Sequence, residues 1–421
     1  MSAATLPVQQ NLERFPDLHP ALDSQSAAAE SNRCLYCFDA PCTAACPTHI
    51  DVPRFIKKIA TGNLRGSALA IFDANILGLS CSRVCPVDVL CEGSCVMHRY
   101  NKKPIEIGLL QRYAMEAFYD QNRDREGADA ASNPRKIACI GAGPASLSCA
   151  AELRRQGHSV TVFDRRPLAG GLNTYGVAEY KLRPSDSLRE VEMIRRMGVS
   201  FQQADIDLAA LDRIEKEFDF IFIGAGLGAM DRLGIPGEDS PHVIDALRFI
   251  ASYKTRPNFA VPDRVAVIGG GNTAIDAANA ALRLGAAEVH MFYRRTETEM
   301  PAFPFEYEHA KVEGVQFHWL AQPAAILAHG VRFVRTTLAE PDSTGRRKAQ
   351  PIRGSEFEFS CDMVIPALGQ SRMSELKRRV DNRKYFAGGD FVNGGREVVD
   401  AVADGKRAAL SMLQNGEAQH A

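Results

Sequence analysis

Eight of the chain's 11 cysteines lie between Cys34 and Cys95. No other feature limits the fold as much, because thiols crowded into one segment must be bridged, metallated or buried. Disulfide scaffolds belong to small secreted domains. A chain of 421 residues is instead long enough for two or three domains with cores of their own. Its start, MSAATLPVQQNLERFPDL, shows no basic stretch leading into an apolar one, the mark of a secretory signal. Metal binding is therefore the expectation. The first run reads Cys34-x2-Cys37-x4-Cys42-x3-Cys46-Pro47, and the second holds Cys81, Cys85-Pro86, Cys91 and Cys95. Closely spaced thiolates with Cys-Pro steps suit iron–sulfur clusters, where the cysteine before proline can serve the neighbouring cluster. Structural zinc is the rival, usually with two CxxC-type pairs and often His; only one CxxC occurs here.

Residues 1–30 read as a weakly structured lead-in with helical potential. Helices are expected over Pro53–Ala60, Leu64–Phe72 and Ile105–Tyr119, between and after the cysteines. The polar stretch Gln121–Asn133 reads as a linker. Beyond it the texture changes to strand, glycine loop, helix, strand. Ile137–Ile140 is the first strand, Pro144–Gln156 the helix and Val160–Asp164 the next strand. The loop carries Gly141, Ala142, Gly143, Pro144 and Ala145. Glycines there allow a tight turn and let a pyrophosphate approach a helix N-terminus. Asp164, at the end of the second strand, is placed to accept from a ribose hydroxyl. Gly170, Gly171 and Leu172 follow.

The same grammar recurs at Val265–Ile268, Thr273–Leu284 and Val289–Tyr293, around Gly269, Gly270, Gly271, Asn272 and Thr273. This second strand pair ends in Arg294 and Arg295 where the first ends in an acid. Arginine cannot accept from a 2′-hydroxyl but pairs well with a 2′-phosphate, so NADPH fits better than NADH. Three further glycine features, Gly224-Ala225-Gly226, Ala367-Leu368-Gly369 and Gly388-Gly389-Asp390, suggest a backbone passing repeatedly beside two dinucleotides. A final helix is expected over Val398–Met412. A formal net charge of −1 argues against nucleic acid or anionic membrane as partners. No apolar run approaches the ~18 residues of a membrane span, so the expected location is the cytoplasm.

The stretches RCLYCFDAPCTAACP, LGLSCSRVCPVDVLCEGSC and PIEIGLLQRYA, with GAGPAS and FAGGD, resemble the flavin and iron–sulfur subunits of dihydropyrimidine dehydrogenase. The chain is also similar to the small subunits of NADPH-dependent glutamate synthase. The resemblance implies two [4Fe–4S] clusters. Cys34, Cys37, Cys42 and Cys95 would hold one; Cys46, Cys85, Cys91 and Gln111 would hold the other, leaving Cys81 as a bystander. The rival ligand set takes Cys81 and leaves Gln111 as a plain helix residue. For FAD it implicates Gly141–Ala145, Asp164, Gly170–Leu172, Lys181 and Gly388–Asp390. For the nicotinamide cofactor, NADPH with NADH as an alternative, it implicates Gly270–Thr273, Arg294, Arg295 and Ala367–Gly369.

The fold expected is α/β: an N-terminal helical iron–sulfur domain (1–130), then two Rossmann-like domains. The NAD(P)H domain (233–370) is inserted in the FAD domain (131–232 and 371–421). Hydride transfer between stacked rings needs positioning more than acid–base groups, so no catalytic side chain is expected. The resemblance further implies an electron-input role. Electrons would pass to a PreA-like FMN and iron–sulfur subunit that reduces uracil or thymine, in a heterotetramer, or to a glutamate synthase large subunit or similar acceptor.

Overall fold

The computed structural model describes residues 13–121, 129–256, 258–343, 345–373, 376 and 384–418. The cysteine segment folds as short helices. In Val52–Ala60 the Asp51 side chain caps the amide of Arg54, and Val52, Phe55, Ile56 and Ile59 fall on one buried face. Leu64–Ala74, capped by Asn63, and Ile107–Asp120 pack beside it. Each of these large apolar side chains contributes about 1.5–3 kcal/mol when fully buried. Gly78–Val84 carries Cys81 and ends at Cys85. Most of the expected linker falls outside the described residues.

The strands, in chain order, are β1 (Lys136–Ile140), β2 (Ser159–Asp164), β3 (Ser200–Gln203), β4 (Phe220–Ile223), β5 (Arg264–Ile268) and β6 (Glu288–Tyr293). They continue with β7 (Gln316–Trp319), β8 (Ala321–Leu327), β9 (Gly330–Pro341), β10 (Arg347–Ser360), β11 (Met363–Pro366) and β12 (Tyr385–Ala387). The first sheet runs β12-β4-β1-β2-β3 and the second β11-β5-β6-β7. Both are parallel throughout. β12 pairs with β4 after the whole second sheet has been traversed, so the second Rossmann-like unit is inserted in the first. In each sheet the strand before the glycine loop lies between its two neighbours, and the loop opens at the switch point where such folds take ligands.

Two features differ from the sequence expectation. Segment 321–360 is a separate antiparallel sheet, β10-β9-β8. Its inner face stacks Phe333 on Phe292 of β6 at 4.1 Å between ring centroids. The lead-in is also anchored. Phe15 is buried and stacks on Tyr253 at 5.2 Å, and Asp17 pairs with Arg83, Arg112 and Arg183. A helix follows over Ser24–Asn32. Arginines distant in sequence hold Asp17, and local propensity carries no trace of them.

The cysteine domain is not a bead on a string. One continuous apolar core runs from Ala27 and Phe55 through Leu79 and Phe118 to Leu147, Val402 and Met412. The last helix, Val398–Ala418, packs along Pro144–Arg155, and Ser148 Oγ donates to the Val402 carbonyl at 2.8 Å. No helix among the described residues is long and apolar enough to cross a membrane.

Candidate functional site

The first glycine cradle forms where β1 meets β4. Gly141 has φ of +90°, and a Cβ there would lie 2.6 Å from the Gly224 carbonyl oxygen. Gly171, φ +57°, sits against Gly143: a Cβ would lie 2.7 Å from the Gly143 Cα. The three glycine segments thus close on one another with no room for side chains. Asp164 fastens the cradle, its Oδ2 accepting from the Ala142 amide at 2.7 Å and its Oδ1 from the Arg166 amide at 2.8 Å. Pro144 opens the following helix with Gly143 as its N-cap, which leaves the first amides turned to the crevice. Ser146 Oγ is buried there without a partner among the described residues. A bare helix start, an orphaned hydroxyl and glycines packed backbone to backbone fit a pyrophosphate, so the residues suit FAD. Gly388 and Gly389 close the other side. The Gly389 amide donates to Asp404 at 2.9 Å, and its Cβ position lies 2.9 Å from Ala145 Cβ. Asp390 is next to them, and burial pushes its carboxyl up. Leu172 is exposed on the short helix that Gly171 starts.

The second cradle repeats the first. The Tyr293 ring packs onto Gly270, where a Cβ would lie 2.7 Å away. Asn272 Oδ1 accepts from the Phe303 amide at 2.9 Å, and Gly271 is the N-cap of the helix that includes Asn272 and Thr273. Ala367 lies beside the loop, its amide donating to the Ile268 carbonyl at 2.8 Å, with Leu368 and Gly369 after it. Arg294 is exposed at the end of β6; Arg295 is half-buried, and its Nε has no partner among the described residues. The sequence reading missed a third contributor, the β9–β10 hairpin. Burial pushes the Tyr293 phenol up against the opposing charges of Arg295, Arg294 and Arg346, and Arg347 reaches Glu299 at 3.8 Å. The run Arg346-Arg347-Lys348 is visible in the sequence, but only the hairpin brings it to β6.

The thiols gather in two groups. Cys34, Cys37, Cys42 and Cys95 are electrostatic neighbours: burial pushes Cys42 up to about 12, and Cys34 and Cys95 add to the push. Cys34 is raised by burial, with Cys37 and Cys95 beside it. The second group lines one shared pocket, walled by Cys46, Cys81, Cys85, Cys91 and Gln111. Cys85 is raised by its hydrogen bond to Cys81, then by burial and by Cys91 and Cys46. Cys91 is raised by burial, and it feels both Cys46 and Cys42. That last pair makes the two groups adjacent, as interleaved ligand runs require.

Among the described residues no three Cys, His, Asp or Glu side chains converge on a single ion. Thiols spaced around a cavity instead fit a cluster, in which each thiolate holds a different iron. Cys81 and Gln111 both face this space. Gln111 Nε2 donates to the Gly78 carbonyl at 2.7 Å, which leaves its amide oxygen as the group free to ligate.

Lys181, from the first unit, pairs with two acids of the second. Its ammonium, 10% exposed, is 2.7 Å from Asp276 Oδ1 and 2.7 Å from Glu306 Oε1. Asp276 also accepts from Tyr180 Oη at 2.9 Å, and Glu306 Oε2 is buried with no hydrogen-bond partner among the described residues.

Comparison with known proteins agrees with this geometry. Residues 11–123 match the family described as dihydropyrimidine dehydrogenase domain II, 4Fe-4S cluster. Residues 135–405 match pyridine nucleotide-disulphide oxidoreductase. The glutamate synthase [NADPH] small chain of Escherichia coli is 34% identical over 95% of this chain and 93% of its own length. The NADP(+)-dependent formate dehydrogenase subunit beta of Moorella thermoacetica is 36% identical over 89% of this chain, which spans 60% of that relative. Mycobacterium tuberculosis FprA in complex with NADPH shares the fold, with a TM-score of 0.57 at 18% identity over 68% of this chain and 86% of its own. With its cradles suited to FAD and NADPH and its thiols to iron–sulfur clusters, the chain belongs to the pyridine nucleotide-disulphide oxidoreductase family and is an NADPH-dependent flavin and iron–sulfur electron-transfer oxidoreductase.

Proposed function

We propose that the chain is an electron-input subunit that oxidises NADPH and delivers electrons one at a time to a catalytic partner. In this reading Cys34, Cys37, Cys42 and Cys95 hold one [4Fe–4S] cluster, and Cys46, Cys85, Cys91 and Gln111 hold a second. Bound FAD supplies hydride acceptance, and the clusters supply one-electron carriage. The protein's own part is placement. Arg294, Arg295 and Arg346 hold the 2′-phosphate end of NADPH, and the two cradles bring the cofactors together beside Lys181.

The observation that carries the reading is Val399. This residue lies in the first turn of the helix that follows the flavin motif, and it also lines the second thiol cavity. One helix start therefore serves both the flavin side and the cluster side. Anaerobic material containing FAD, iron and acid-labile sulfide should reduce an acceptor dye with NADPH. Stoichiometric zinc in place of iron would end this reading.

The relatives favour a glutamate synthase large subunit as the partner, since the chain covers 93% of the Escherichia coli small chain. The second reading is a dihydropyrimidine dehydrogenase with a PreA-like FMN subunit in a heterotetramer. It is favoured by the match over residues 11–123 and by Gln111 in the cavity wall. Reconstitution separates them: NADPH oxidation that requires glutamine and 2-oxoglutarate supports the first, and oxidation that requires uracil supports the second.

A further inference from the structure

Glu190 is a buried carboxyl, 1% exposed, that no cradle or thiol group uses. It sits on the helix Pro184–Arg196 of the flavin-binding unit. Its Oε1 accepts from the amides of Leu79 at 2.8 Å and Ser80 at 3.1 Å, and its Oε2 accepts from Ser80 Oγ. Leu79 and Ser80 open the helix Gly78–Val84, whose own N-cap residue, Leu77, supplies no side-chain cap. This helix carries Cys81 and leads into Cys85, and the Gly78 carbonyl receives Gln111. One carboxyl from the flavin-binding unit thus fastens the element that brings Cys81, Ser82 and Cys85 to the second cavity wall.

The same helix grips the flavin cradle one turn earlier. Ser187 is 2% exposed, and its Oγ lies 2.8 Å from Thr174 Oγ1, which donates to the Ala169 carbonyl at 2.7 Å. A Cβ on Gly170 would lie 2.5 Å from Ser187 Oγ. Residues three apart share one face of a helix. Ser187 and Glu190 are therefore two arms on one rigid rod, one holding the Gly170–Thr174 loop and the other the Cys81–Cys85 helix.

We infer that Glu190, with Ser187, is a positioning residue that fixes the distance between the flavin cradle and the second thiol cavity, and so governs the electron step between them. The inference rests on the proposal that this cavity holds a cluster. A hydride from NADPH brings two electrons and one proton. The electrons leave singly across this seam to the clusters, and the proton goes to solvent. Electron transfer between fixed cofactors slows as their separation grows, so loosening of this seam should show in the rate of cluster reduction.

The test uses anaerobic holoprotein of full length, comparing wild type with Glu190→Ala, Glu190→Gln, Ser80→Ala and Ser187→Ala. Stopped-flow absorbance follows flavin bleaching by NADPH, freeze-quench electron paramagnetic resonance follows cluster reduction, and hydrogen exchange follows the Leu79 and Ser80 amides. Glu190→Ala should bleach flavin at the wild-type rate, exchange faster at Leu79 and Ser80, and delay the reduced-cluster signal several-fold. Glu190→Gln keeps an acceptor for both amides and should restore most of the rate. Should Glu190→Ala lose iron, Ser80→Ala and Ser187→Ala decide the matter, since each removes a single hydroxyl and should still slow cluster reduction. Wild-type cluster kinetics in Glu190→Ala, or in both serine variants, would overturn the inference. Absence of any reduced-cluster signal in the wild type would instead overturn the cluster proposal itself.

Discussion

The Lys181 ammonium lies 2.7 Å from the Asp276 carboxylate, joining the first dinucleotide-binding unit to the helix that opens at the second cradle. The resemblance places Lys181 among the FAD residues; in the structure it also bridges two carboxylates of the inserted unit. Lys181→Met should cost about 3–5 kcal/mol, because it strands Asp276 and Glu306 as buried acids without their cation. Chemical denaturation at pH 7 checks this.

The same cluster sets a pH dependence. Burial pushes Glu306 up to about 7, against the pull of Lys181. Its folded pKa thus lies above the ordinary carboxylate value of 4.5. Between those values the folded state holds the proton and the unfolded state releases it, so stability falls as pH rises through this window. The slope from this group is at most about 1.4 kcal/mol per pH unit. Glu306→Gln should flatten it in denaturation midpoints measured across the window.

Gly171→Ala should strip FAD while sparing iron. Its Cβ would collide with Gly143, and φ of +57° already disfavours a side chain. A left-handed backbone alone costs about 1–2 kcal/mol, so FAD affinity should fall by roughly tenfold or more. The ratio of flavin to protein absorbance, set beside iron content, checks it.

Arg294→Ala with Arg295→Ala should raise KM for NADPH far more than for NADH. Charge-assisted hydrogen bonds contribute about 1.5–3 kcal/mol each, which corresponds to roughly ten- to a hundredfold per lost bond. Arg346→Ala should have the same selectivity at smaller size, because it reaches the site only through the hairpin. Equal effects on both cofactors would show that these arginines do not read the 2′-phosphate.

Cys81→Ser should keep the second cluster, and Gln111→Leu should lose it. Iron and sulfide per chain, with the electron paramagnetic resonance spectrum, report the outcome. Loss of the cluster in Cys81→Ser would assign the fourth position to the thiolate.

Parts of the fold whose rules are local were legible in the sequence. The expected strands Ile137–Ile140 and Val265–Ile268 end where the observed ones end and start one residue later, and the helix after each glycine loop starts within one residue of its expected place. Alternating apolar strands and glycine loops encode themselves over a few residues. The antiparallel sheet 321–360 was not legible, because β10 is exposed along most of its length and its clear alternation, Glu356-Phe357-Glu358-Phe359, is confined to its end. Nor were the anchors of Asp17, Lys181 and Glu190. Each is a polar contact between residues 60 or more positions apart in the chain, and nothing in a neighbouring residue announces it. The site shows the same division. Cysteine spacing located the thiols, whereas Cys81 and Gln111 facing one cavity became visible only once the helices packed.

The apolar core shared by the cysteine helices and the first sheet also shapes how the molecule comes apart. With Leu79, Phe118, Leu147 and Met412 in one packed body, the cluster-bearing part has no independent melting event. Scanning calorimetry should show those two parts losing heat-stable structure in a single cooperative peak, with iron release and flavin release sharing a midpoint.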